Sequence, residues 1–177
     1  LNYLGEDPNS FDEAVIGKAL TTLQAVRPHV RYFHSSQYIN DLANGDICVA
    51  VGWSGDILQA ADRAEEADKG VEVAYTIPSQ GAALWFDMLA IPKSSKRVDN
   101  AHAFINFLLR PEVIADVSNY VSYANANAAS KDLVDAAITG NPDIYPDEET
   151  SAKLFTLAVL PPEVDRLYTR LWTTLKS

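Results

Sequence analysis

Ile47-Cys48-Val49-Ala50-Val51-Gly52-Trp53-Ser54-Gly55-Asp56 decides how this chain is read. The five apolar residues predict a strand, the two glycines a tight turn, and the stretch from Ile57 to about Asp68 a helix capped by Ser54. Strand, small-residue turn and helix in that order indicate an α/β fold, and ligands of open α/β sheets bind at the carboxyl rim of the strands. Here that rim carries Trp53 and Asp56. An aromatic face attracts a cation through its quadrupole and a carboxylate attracts it by direct charge, so the pair predicts an organic amine as ligand.

Working outward, the chain alternates helices and strands. Ser10 and Glu13 have capping-box spacing, and Ala14, Ile16, Ala19, Leu20, Leu23 and Val26 follow at helical intervals up to Pro28. Ser35 or Ser36 can cap a short helix through Tyr38, Ile39 and Leu42 that Gly45 ends. Residues 71–77 and 83–91 read as strands, punctuated by Pro78, Gly81 and Pro92. Beyond them the chain is mostly helical. Asp99 or Asn100 starts one helix and Pro111 begins another, then come a loop at 120–127 and a short helix at 133–138. Thr150 or Ser151 starts a helix through Leu154, Phe155 and Leu157, and Val164, Leu167, Leu171 and Leu175 line one face of a last helix after Pro161-Pro162.

Composition limits the function classes. The 177 residues are 47% hydrophobic and 21% charged, ordinary for a globular protein. A formal charge of −10 disfavours nucleic acid and anionic membranes and suits cationic partners, although solubility alone accounts for such a balance. No run reaches the roughly 18 apolar residues of a membrane span. The chain starts at Leu1 without a signal-like stretch, as a processed or truncated protein does. The lone cysteine, Cys48, is expected to be buried and inert in its strand.

Two further stretches bear on the ligand. In a strand over 83–91, Trp85 and Asp87 share a face, and a buried carboxylate there needs a partner, either an arginine and backbone amides or a bound cation. A second Trp-Asp pair after Trp53 and Asp56 favours the cation. Tyr120-Val121-Ser122-Tyr123-Ala124-Asn125-Ala126-Asn127 is an aromatic- and amide-rich loop whose tyrosines serve rim packing or ligand contact, with Asn125 and Asn127 as turn residues. Asp56 and Asp87 as an acid and base pair of a hydrolase form a weak signal, and His29, His34 and His102 have no metal-ligand spacing with Cys48. Neither an enzyme nor a metal site is expected.

The stretches Leu1-Asn2-Tyr3-Leu4-Gly5, Tyr32-Phe33-His34-Ser35-Ser36-Gln37-Tyr38-Ile39-Asn40-Asp41-Leu42-Ala43-Asn44-Gly45-Asp46, Gly52-Trp53-Ser54-Gly55-Asp56, Trp85-Phe86-Asp87, Tyr123-Ala124-Asn125-Ala126-Asn127 and Lys153-Leu154-Phe155-Thr156-Leu157 closely resemble the bacterial periplasmic polyamine-binding proteins. These are the capturing subunits of ABC importers for putrescine and spermidine. The resemblance covers essentially the whole chain but only the C-terminal half of a family member. It implies a type II periplasmic binding fold, two α/β lobes with a hinge. Residues 1–75 would form part of lobe 2, 76–82 the hinge crossing and 83–177 part of lobe 1. It further implies that Trp53 and Asp56 reach the polyamine from one lobe, Trp85 and Asp87 from the other, and that Tyr123 closes the aromatic box. Trp rather than Phe at position 85 resembles members that prefer spermidine. No cofactor is implied. The implied partners are the polyamine, a membrane permease and the N-terminal half of the same protein, in the periplasm after signal-peptide removal. A polyamine-sensing receptor module and a binder of another organic amine are the alternatives.

Overall fold

A computed structural model describes all 177 residues. Its eight α-helices are α1 (Glu13–Val26), α2 (Gln37–Ala43), α3 (Ser54–Ala67), α4 (Val98–Leu108), α5 (Pro111–Val121), α6 (Ala136–Thr139), α7 (Glu148–Ser151) and α8 (Pro162–Lys176). Short 3-10 turns occupy Asn2–Leu4, Arg27–His29 and Ala128–Leu133.

The stretches at 47–51, 71–77 and 83–91, expected as strands, do not assemble into a sheet. The one β-bridge joins Ala83 to Phe155 in parallel, with the Leu84 N–H donating to the Phe155 carbonyl at 2.7 Å. A strand's backbone groups need a neighbouring strand, and no other segment of this chain supplies one at 47–51. Val51 and Val49 consequently stand in solvent, at 100% and 85% exposure, while Ile47 and Ala50 pack partly against Tyr38, Leu42 and Ile57. Cys48, expected to be buried, is exposed for the same reason.

The chain folds as two compact units. The first comprises Leu1–His34, Ile77–Trp85 and Thr150–Ser177, the second Ser35–Thr76 and Phe86–Glu149. Within the first unit the two ends of the chain meet. Ile16 of α1 packs with Val164 and Leu167 of α8, the face expected to be apolar, so the terminal helix belongs with the start of the chain. Arg27 secures the same pair by donating Nε–H to the Leu175 carbonyl at 3.0 Å while its guanidinium lies over the Phe33 ring. A cation at the carbonyl end of a helix satisfies orphan acceptors and opposes the helix dipole.

The cap of α1 lies two residues beyond Ser10. Asp12 is the N-cap, its Oδ1 accepting the Ala14 and Val15 N–H groups at 2.7 and 3.2 Å, while the Ser10 hydroxyl accepts the Asp12 N–H. A carboxylate is the better acceptor at the positive end of a helix. Asp12→Ala is expected to lower stability by about 1 kcal/mol, read from the urea midpoint, and Ser10→Ala by less. The helix expected through Leu157 also ends early, at Ser151, because the chain turns there and Phe155 pairs with Ala83 instead.

The second unit holds two cores. Tyr38, Leu42 and Ala43 of α2 meet Ile57, Ala60 and Ala64 of α3, where the small alanines allow close helix approach. Ala115 of α5 packs with Val134 and Ile138. The first of these cores supports the entrance to α3.

Candidate functional site

α3 starts at Ser54 with Trp53 as its N-cap residue, and no side chain caps it. The expected Ser54 cap is thus displaced by one residue. Asp56 sits in the first turn, where exposed N–H groups favour a negative charge. Trp53 is about half exposed and Asp56 half-buried.

Two tyrosine hydroxyls hold the Asp56 carboxylate. Tyr38 donates to Oδ2 at 2.6 Å and Tyr123 to Oδ1 at 3.4 Å. Neither neutralises its charge, and a carboxylate has lone pairs to spare after two such bonds. The Tyr38 hydroxyl also accepts the Trp53 N–H at 3.3 Å. The glycines of the opening stretch accommodate the same two rings. A Cβ on Gly52 would strike the Tyr38 ring, and one on Gly55 would strike the Tyr123 ring. Gly52-Trp53-Ser54-Gly55-Asp56 is therefore a turn shaped to accept two aromatic neighbours.

Burial, reinforced by the Asp56 carboxylate, pushes the Tyr38 hydroxyl up to about 12, and burial together with the Asp56 charge does the same for Tyr123. Asp87 adds a smaller upward push on Tyr123, so its charge is felt at the site. Both phenols stay neutral donors at physiological pH. Because their folded-state values are raised, their contribution to stability is complete below pH ~10 and is lost as pH climbs from there through about 12. In a tyrosinate absorbance titration, Tyr38→Phe and Tyr123→Phe should each remove amplitude from the late phase near pH 12 and leave the ordinary phase near 10 intact.

The loop carrying Tyr123 is anchored from beneath. α5 ends with Ser122 in the left-handed conformation, φ 57°. Asn125 then donates to the Ser118 hydroxyl at 2.8 Å and accepts from the Asn127 N–H and the Ser130 hydroxyl, both at 2.9 Å. Ser118 and Ser130 are buried. Asn127 bonds the Leu109 carbonyl at 2.7 Å and the Ala129 N–H at 3.1 Å. The two asparagines are turn residues, as expected, and Asn125 also completes a buried polar network.

The structure thus brings together Trp53, Asp56 and Tyr123 in the second unit, which also contains Asp87. Trp85 and Asp87 do not share a sheet face, because no sheet forms there, and Trp85 is assigned to the first unit. Tyr38 was not legible as a site residue. Its signal was a tyrosine on the apolar face of a short helix, since a buried phenol needs a hydrogen-bond partner.

The bacterial extracellular solute-binding protein family matches over residues 2–146. Across the whole chain, 55% of residues are identical to the putrescine-binding periplasmic protein PotF of Escherichia coli K12 and 49% to SpuD, a protein of the same description from Pseudomonas aeruginosa UCBPP-PA14. The chain covers 48% of each, so it spans about half the length of these curated relatives. A solved putative spermidine/putrescine ABC transporter protein from Listeria monocytogenes superimposes with a TM-score of 0.84 at 32% identity, over 99% of this chain and 52% of that one.

Proposed function

The chain belongs to the bacterial extracellular solute-binding protein family, and from that premise we propose that it is part of the capturing subunit of a periplasmic ABC importer for a polyamine. The family is one of binders, and the site offers a carboxylate and aromatic faces that suit a bound cation. The observation that carries the reading is the Asp56 carboxylate, steadied by two neutral hydroxyls beside the half-exposed Trp53 ring. A protonated polyamine is a methylene chain with ammonium ends. Its ammonium pairs with a carboxylate, and its methylenes lie against aromatic faces.

In the whole protein, Trp53, Asp56, Trp85, Asp87 and Tyr123 form the ligand contacts, in a two-lobed α/β fold whose hinge runs through 76–82. Ligand binding favours the closed form, which the membrane permease then recognises. The relatives sharing 43–55% identity are named for putrescine or for putrescine and agmatine. Those named for spermidine and putrescine share 32%. This ordering supports putrescine as the first ligand to test, ahead of the spermidine that Trp85 suggests. Calorimetric titration of the whole protein with putrescine, spermidine and an uncharged diol of putrescine's length tests the reading. Saturable binding of a polyamine but not of the diol supports it, and binding of none of them rejects it.

A further inference from the structure

Tyr38 is only 4% exposed, and its ring fills the core between α2 and α3. A residue so placed presents no face to a ligand. Its hydroxyl nevertheless makes two bonds to the candidate site, donating to Asp56 Oδ2 at 2.6 Å and accepting the Trp53 N–H at 3.3 Å. We propose that Tyr38 is a positioning residue of the cation site, its one hydroxyl setting the carboxylate of Asp56 and the backbone of Trp53 in fixed relation to each other.

Such a hydroxyl preorganises the site. Trp53 and Asp56 lie three residues apart across the start of a helix, where the chain has just left an unpaired segment. Tyr123 also holds the Asp56 carboxylate, but the Tyr38 hydroxyl bonds both that carboxylate and the Trp53 backbone and so fixes one relative to the other. Tyr38 does so from a second helix whose position is set by Leu42 and Ala43 against Ala60 and Ala64. Burial keeps the phenol protonated, so it remains a donor to Asp56 throughout the range in which a polyamine is charged. Gly52 is needed because this ring occupies the space where a Cβ would be. Ordering the site before the ligand arrives reduces the cost of binding.

Tyr38→Phe in the whole protein keeps the ring and removes only the hydroxyl. Two readouts decide the matter, the first independent of any ligand. In hydrogen exchange of the ligand-free protein, the Trp53 amide should exchange at least about tenfold faster while the Ala60 amide in the α2–α3 core keeps its rate. By calorimetry, the putrescine Kd should rise about ten- to a hundredfold, the range of one hydrogen bond to a charged group. An unchanged Trp53 amide overturns the inference, as does an unchanged Kd with a faster amide. A uniform acceleration that includes Ala60 marks a purely structural role and overturns it too. The affinity arm rests on the polyamine reading and uses spermidine if that is the polyamine bound; should the wild-type protein bind neither putrescine nor spermidine, that reading falls and the exchange arm alone decides the role of Tyr38.

Discussion

Replacing Asp56 by Asn in the whole protein should weaken putrescine binding on the order of a hundred- to a thousandfold, the cost of leaving one member of a desolvated ion pair unpartnered. The substitution is nearly isosteric, so its effect reports charge. Asparagine's amide oxygen can still accept from Tyr38, which now holds Asp56 at 2.6 Å, while its NH2 group faces the longer 3.4 Å contact and can donate to the Tyr123 hydroxyl, so the fold should persist. Trp53→Ala should cost less, about tenfold, since a single cation–π contact contributes roughly 0.5–2 kcal/mol. Titration calorimetry on both variants checks the order. An Asp56→Asn protein with wild-type affinity would remove the carboxylate from the site.

The largest effect on stability is expected at Ile57, one residue further along α3. Its side chain is buried among Tyr38, Leu42 and Ala60. Ile57→Ala removes three heavy atoms from a packed interior and leaves a cavity, a loss of about 2–5 kcal/mol in urea unfolding. Glu66→Ala, on the exposed side of the same helix, should stay within about 0.5 kcal/mol. Similar losses for both would mean that the α2–α3 core does not support this turn. Because Ile57 adjoins Asp56, the two variants also separate packing from charge: the first lowers stability with binding retained in the folded fraction, the second the reverse.

The helices were legible because their signals are local. Apolar positions in α1 and α8 recur at helical spacing, and the stripe of Val164, Leu167 and Leu175 is buried as its pattern indicates. Strand formation is a non-local property. The run at 47–51 has the composition of a buried strand, yet its partner must come from elsewhere in sequence, and within this chain only Ala83 and Phe155 find each other. The candidate site divides along the same line. Trp53 and Asp56 were readable as neighbours on one turn, and Tyr123 entered through family resemblance. Tyr38 could be recognised only once two helices were packed, because the residues it joins are 15 and 18 positions away. The roles of Gly52 and Gly55 followed from the rings they accommodate, which no single-residue property reveals.

On the proposed reading, the ligand lies at the turn Gly52-Trp53-Ser54-Gly55-Asp56. Isotope-filtered NOE spectroscopy on the whole protein saturated with carbon-13 putrescine tests it directly. Cross-peaks are expected from the putrescine methylenes to the Trp53 indole and Tyr123 ring protons. Saturated putrescine with methylene contacts only to other residues would contradict it.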